Sequence, residues 1–149
     1  VLCIVTVIAW DGKTLSADKQ ATTCDMQITV TKIKKINDGS IVAWTGTHEQ
    51  GIVLAKWYED GSDPKKYPEF QKTDDWTCLI VAKNINNVFV YHKLPIGQRV
   101  EDDFVAWGSG RDYAMAVMEM GGDSEKAVLV ASKFDVNCGN GVDSFVVST

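Results

Sequence analysis

Basic clusters, long apolar runs, paired cysteines and metal-spaced histidines are scarce or missing in this sequence, and each absence removes a class of function. The net charge at pH 7 is -5, and no basic cluster is larger than Lys32, Lys34 and Lys35. The electrostatic footprint of a nucleic-acid binder is therefore missing, and no nucleic-acid partner is expected. No apolar run approaches the roughly 20 residues needed to cross a bilayer. The opening Val1-Leu2-Cys3-Ile4-Val5 lacks the charged start and cleavage site of a signal peptide. No membrane partner is expected, and a cytoplasmic location is. Cys3, Cys24, Cys78 and Cys138 include no C-x-x-C pair, which argues against a zinc site and against a disulfide framework. His48 and His92 have no partner at metal-ligand spacing, so a surface or loop role is expected for both, with no metal and no cofactor. Internal repeats and low-complexity segments are absent as well.

What is there suits one globular domain spanning residues 1–149. The length of 149 residues closes one hydrophobic core and is too short for two ordinary domains, and 45% hydrophobic with 23% charged residues is a soluble balance. Residues 2–10 are β-branched or apolar, Asp11-Gly12 supplies a positive-φ turn, and residues 14–19 return as the second arm of a hairpin. Residues 27–36 alternate, Asn37-Asp38-Gly39 turns, and residues 40–45 complete a second hairpin. After Gly46 the period becomes helical, with Ile52, Val53, Leu54, Ala55 and Trp57 on or near one face and Gly61 as the stop. Residues 62–75, with Pro64 and Pro68, read as a loop holding one short helical turn around residues 68–71. Residues 76–83 and 87–93 flank Asn84-Ile85-Asn86 as a third hairpin. That hairpin and a short strand at 103–107 are assigned together to the second sheet. Helices are expected at 112–120 and, after Gly121-Gly122, from an Asp123 or Ser124 cap, with Ala127, Val130, Ala131 and Phe134 on one face. A last strand at 142–147 returns to the sheet. Hairpins segregated from helices indicate an α+β fold, a four-layer αββα sandwich of two antiparallel sheets covered by helices.

Five segments carry a resemblance. They are Ala9-Trp10-Asp11-Gly12-Lys13-Thr14-Leu15-Ser16-Ala17-Asp18, Lys32-Ile33-Lys34-Lys35-Ile36, Thr45-Gly46-Thr47, Gly108-Ser109-Gly110-Arg111-Asp112-Tyr113-Ala114, and Asp135-Val136-Asn137-Cys138-Gly139-Asn140-Gly141. Taken in this order, they resemble the proteasome β-subunit and HslV family of N-terminal-nucleophile hydrolases, and especially its short phage-encoded relatives. The resemblance implies an N-terminal threonine whose hydroxyl attacks a peptide carbonyl, with its own α-amine as general base. An α-amine of pKa about 7.7–8.0 can take a proton near neutral pH, which a main-chain amide cannot. It further implies that Asp18 and Lys32 form an ion pair beside the nucleophile, although a surface salt bridge is the plain alternative. Gly46 matches the glycine whose N–H stabilises the oxyanion, and it also suits a strand-to-helix turn. Ser109 matches a serine near the nucleophile's amine, and it also suits a helix N-cap. Asp135 matches the family's aspartate. Cys138 and Asn140 depart from the pattern, standing where the family has a serine and a second glycine, so Cys138 is a weaker hydrogen-bond donor or simply a small buried hydrophobe.

The nucleophile has three readings. Thr6 matches the threonine exposed in the short relatives by loss of an initiator methionine, and Val5 stands where that methionine would be. Its use requires removal of the five residues before it, either by autoprocessing like a proteasome propeptide or because the natural start lies at Val5. Counting back from Asp11-Gly12 by the spacing of the longer relatives reaches Leu2 or Cys3. Leucine cannot act, whereas Cys3 can, as the nucleophile of an amidase of the same fold. If the five residues stay attached, the chain is a catalytically silent member serving as a structural or assembly subunit. The resemblance implies a peptide or unfolded-protein substrate, a homo-oligomer and an unfoldase partner.

Overall fold

The computed structural model describes residues 3–4, 6–23, 25–72 and 77–149, the side chains of Cys3, Ile4 and Lys72 excepted. Its strands are β1 (Cys3–Ile4), β2 (Ile8–Trp10), β3 (Thr14–Asp18), β4 (Gln20–Thr23), β5 (Met26–Thr29), β6 (Ile33–Lys35), β7 (Ile41–Thr47), β8 (Cys78–Asn84), β9 (Asn87–Tyr91), β10 (Gln98–Arg99), β11 (Val105–Trp107) and β12 (Val142–Val146). The helices are α1 (His48–Glu59), α2 (Arg111–Glu119) and α3 (Ser124–Phe134), with short 3-10 turns at Pro64–Lys66 and Glu69–Lys72. Among the described residues the strands form an eight-stranded sheet in the order β10-β9-β8-β7-β1-β4-β5, with β6 also on β7. A four-stranded sheet runs β11-β2-β3-β12. All pairings are antiparallel.

The layers follow from alternation. Successive strand side chains point to opposite faces, so a sheet covered on both faces needs apolar residues at every position. In β7, Ile41 and Ala43 join Ile8, Trp10, Leu15 and Ala17 in the core between the sheets, whereas Val42 and Trp44 pack with Leu54, Ala55 and Trp57 of α1. The smaller sheet turns Val7 and Ala9 outward onto Ala114 and Met118 of α2 and Ala127, Val128 and Ala131 of α3. The result is helix, sheet, sheet, helix pair, the sandwich expected from the sequence.

Several local expectations differ from the structure. The alternating stretch 27–36 is broken: β5 ends at Thr29, β6 begins at Ile33, and the main chain between them carries Lys32, whose carbonyl accepts from the Trp44 N–H at 3.0 Å. β4 was not foreseen, because Gln20 to Thr23 are mostly polar. They become a strand through pairing with β5 and β1. The third hairpin and β11 do not share a sheet. β8 pairs with β7, and β11 pairs with β2, because β11 arrives after a loop that crosses from one sheet to the other. The inward face of α1 is Gly51, Leu54, Ala55, Trp57 and Tyr58, while Ile52 and Val53 are exposed, since 3.6-residue spacing carries them to the other side. Phe134 is likewise exposed on α3, and Ser124 and Val128 are buried instead. Trp76, the expected start of β8, lies outside the described residues.

Candidate active site

Three residues far apart in sequence meet where the two sheets converge. Asp18 ends β3 with its side chain buried, because Leu15 and Ala17 occupy the inter-sheet face and Ser16 and Asp18 point the other way. Lys32 lies in the break between β5 and β6. Thr6 precedes β2 and is 1% exposed. The Thr6 hydroxyl donates to Asp18 Oδ1 at 2.6 Å and accepts from Lys32 Nζ at 2.7 Å, and the same ammonium donates to Asp18 Oδ1 at 2.7 Å.

The ion pair is wholly enclosed, with both side chains at 0% exposure. That rules out the surface salt bridge as its description. Burying two charges costs several kcal/mol per ion unless each is otherwise satisfied. Asp18 meets that condition: Val7 N–H donates to Oδ1 at 3.2 Å, and Gly139 N–H and Gln20 N–H donate to Oδ2 at 3.0 and 3.4 Å. Burial pulls the Lys32 pKa below the ordinary lysine value, and the Asp18 charge and hydrogen bond oppose that pull. The ammonium is therefore less costly to deprotonate than a surface lysine, which suits a group that shares a proton with a hydroxyl.

A second cluster adjoins the first. Ser109 Oγ donates to Asp135 Oδ2 at 2.9 Å and approaches the Thr6 carbonyl oxygen at 3.4 Å, and that carbonyl also accepts the Gly110 N–H at 3.2 Å. Ser109 is not the cap of α2. Gly110 holds that position, and the serine side chain is committed to Asp135. Cys138 Sγ lies 3.6 Å from Asp135 Oδ2 and 3.8 Å from Ser109 Oγ, within reach of sulfur hydrogen bonds. Burial first, and then the Asp18 charge, push its thiol up to about 12, so it is a neutral donor and no nucleophile. Gly139 and Asn140, beyond it, have φ of +156° and +62°, and their turn sends the Gly139 N–H to Asp18.

Gly46 is not among these contacts. It sits in β7 with φ +93°, directly opposite Ile4 of β1. β1 itself runs between two strands: Cys3 pairs with Thr22 of β4 on one edge and with Thr47 of β7 on the other. β1 thus fills a slot between β4 and β7 as an added strand. The side chain of Cys3, the alternative nucleophile, lies outside the described residues.

Sequence reading missed four contributors. Gly139, through its main-chain N–H, and Gln20, whose side chain donates to Val136 O at 3.1 Å, were invisible because their roles depend on which loop comes to rest beside β3. Gly108 has its α-carbon so close to Thr6 that a Cβ there would lie 2.1 Å from the Thr6 carbonyl oxygen. His48 is no loop residue. It opens α1, half-buried, with Nδ1 accepting from Trp44 Nε1 at 3.2 Å, while His92 is exposed as expected. Among the described residues no group of three or more His, Cys, Asp or Glu could hold a metal ion.

No family model matches this chain, and no curated protein matches it by sequence. Solved structures do match in shape. Eukaryotic HslV from Trypanosoma brucei aligns with a TM-score of 0.74 at 20% identity, over 97% of this chain and 99% of that one. BPH from Thiobacillus denitrificans aligns at 0.72 in its complex with epoxomicin and at 0.71 without it, both at 21% identity and over 96% of this chain. The fold is that of HslV and the proteasome-like hydrolases, across essentially the whole chain.

Proposed function

We propose that this chain is a threonine-type N-terminal-nucleophile peptidase or amide hydrolase whose nucleophile is Thr6. The observation that carries the reading is the buried contact of the Thr6 hydroxyl with both Lys32 Nζ and Asp18 Oδ1. A solvated or structural threonine has no need of a desolvated ion pair, and the enclosure of that pair is costly unless it serves chemistry. The likeness to HslV and to BPH, the latter solved with epoxomicin bound, supports the same class. Asp18 and Lys32 reach Thr6, which favours it over Cys3.

In the chain as it stands, the Thr6 nitrogen is an amide bonded to Val5. The first turnover is therefore on itself. Thr6 Oγ adds to the Val5 carbonyl carbon, the Val5–Thr6 C–N bond breaks, and the hydroxyl proton ends on the departing nitrogen, leaving an ester. One water hydrolyses the ester, releasing the segment that ends at Val5 as a carboxylic acid and restoring the Thr6 hydroxyl beside the α-amine freed in the first step. That amine then acts as the general base for Thr6 Oγ on an incoming substrate. Gly46 N–H stabilises the oxyanion, and Ser109 with Asp135 orients the amine, Cys138 supporting Asp135. The slot now filled by β1 suits an extended peptide held by main-chain hydrogen bonds on two edges. A homo-oligomer acting on peptides or unfolded protein, in the cytoplasm, completes the reading, and sedimentation of the purified protein tests its assembly.

The pairing of β1 on both edges favours one other reading: a silent member whose own N-terminal segment permanently plugs the slot and which serves as an assembly subunit. Intact mass before and after incubation with a threonine-directed β-lactone separates the two. A chain beginning at Thr6 that gains one adduct is expected. An unprocessed, unreactive chain would sink the peptidase reading.

A further inference from the structure

We propose that His48 is a positioning residue for this site: its neutral imidazole steadies the Lys32 segment through Trp44 and releases it on gaining a proton. Trp44 is the link. Its main-chain N–H donates to the Lys32 carbonyl at 3.0 Å, and its indole Nε1–H donates to His48 Nδ1 at 3.2 Å, the two rings lying 6.0 Å apart. An indole only donates, so Nδ1 must be the bare nitrogen and the imidazole proton must sit on Nε2. An imidazolium has no acceptor, and protonation therefore breaks this bond.

The indole has little freedom to compensate. It is 3% exposed, and Gly51, one turn into α1, lies so close that a Cβ there would stand 2.1 Å from Trp44 Cδ1. A displaced Trp44 must move against α1 or against its own strand, and the strand carries the hydrogen bond to Lys32. His48 also follows Thr47, which with Gly46 pairs with β1, so α1 begins where the β1 pairing on β7 ends. Among the described residues the charges acting on it are Glu49, which favours the proton, and Lys32, which opposes it. The N-terminus of α1 opposes it too. Burial is the largest influence and holds His48 below the ordinary 6.5, so the neutral form prevails at neutral pH.

The consequence for turnover rests on the peptidase reading, whereas the hydrogen-bond relay does not, and the test keeps them apart. In the full chain, the Trp44 indole N–H resonance and the exchange rate of the Trp44 main-chain amide are followed from pH 8 to pH 5, beside His48→Asn, whose Oδ1 replaces the Nδ1 acceptor without titrating. The expected result is an indole resonance that titrates below pH 6.5 in the parent chain and not in the variant. Amide exchange at acid pH should be faster in the parent than in the variant. An indole resonance that is flat in the parent, or that moves identically in both, overturns the proposal. So does an amide whose exchange matches in the two chains. With processed protein and a peptide substrate, kcat/KM should carry an additional acid limb of about tenfold per pH unit in the parent that His48→Asn lacks. If the relay titrates as expected while neither chain hydrolyses any peptide, the peptidase reading fails and the positioning role of His48 toward Lys32 stands.

Discussion

At the residue scale, the site is governed by what burial does to charge. Lys32 and Asp18 are held together with both side chains fully buried, and each leaves the other uncompensated when removed. Lys32→Ala is expected to abolish processing at Thr6 and to destabilise the fold by about 3–5 kcal/mol, the cost of an unpaired buried charge. Intact mass and denaturant unfolding of the variant check both halves. A variant that stays as stable as the parent would show that Asp18 is satisfied by its three main-chain donors alone. Cys138 behaves oppositely. With its thiol pushed up to about 12 and 3% exposure, it should resist alkylation at pH 8 in the folded chain and react only on unfolding. Peptide mapping after brief iodoacetamide treatment reads this directly.

At the scale of elements, close approach of backbone to backbone sets the limits. The turn between β11 and α2 brings Gly108, at φ +96°, against the carbonyl of Thr6, which the Gly110 N–H then holds. Gly108→Ala adds a Cβ that neither that φ nor the 2.1 Å gap admits. Gly39→Ala, at φ +90° with nothing within 4 Å, meets only the left-handed penalty of about 1–2 kcal/mol. The Gly108 variant should therefore lose clearly more stability than the Gly39 variant, and should also fail to process at Thr6. Equal thermal shifts in the two would show that β2 yields easily and that the Thr6 carbonyl is not rigidly placed. The elements themselves were largely legible. The Asp11-Gly12 and Asn37-Asp38-Gly39 turns, the helix starts and the apolar strand β7 all appear from local pattern. The break at Lys32 and the polar strand β4 do not, because only their partner strands make them what they are.

At the scale of the whole molecule, pH acts on the balance between folded and unfolded chains. His48 has a folded-state pKa below its ordinary 6.5, so the unfolded chain binds more protons in the window between the two values. Stability from this group is fully present above pH 6.5 and falls as pH drops through that window toward the folded value. His48→Asn should remove this component, so its unfolding midpoint is expected to decline less than the parent's between pH 7 and pH 5. Parallel declines measured by thermal unfolding would mean that His48 titrates alike in both states.

Sequence alone determined the layer count, the turn positions and the chemical inventory, because strand alternation, helical period and left-handed turn residues are local properties written in neighbouring side chains. It also supplied Thr6, Asp18, Lys32, Ser109, Asp135 and Cys138 as residue types in a suggestive order. Only the tertiary structure decided that Thr6 meets residues 12 and 26 positions away, that Ser109 arrives from 103 positions away, and that β1 lies in the slot. The half-burial of His48 against Trp44 was decided there for the same reason. Burial, the nearest charge and the hydrogen-bond partner of a side chain are set by what packs beside it, and packing between distant segments leaves no periodic trace in the sequence.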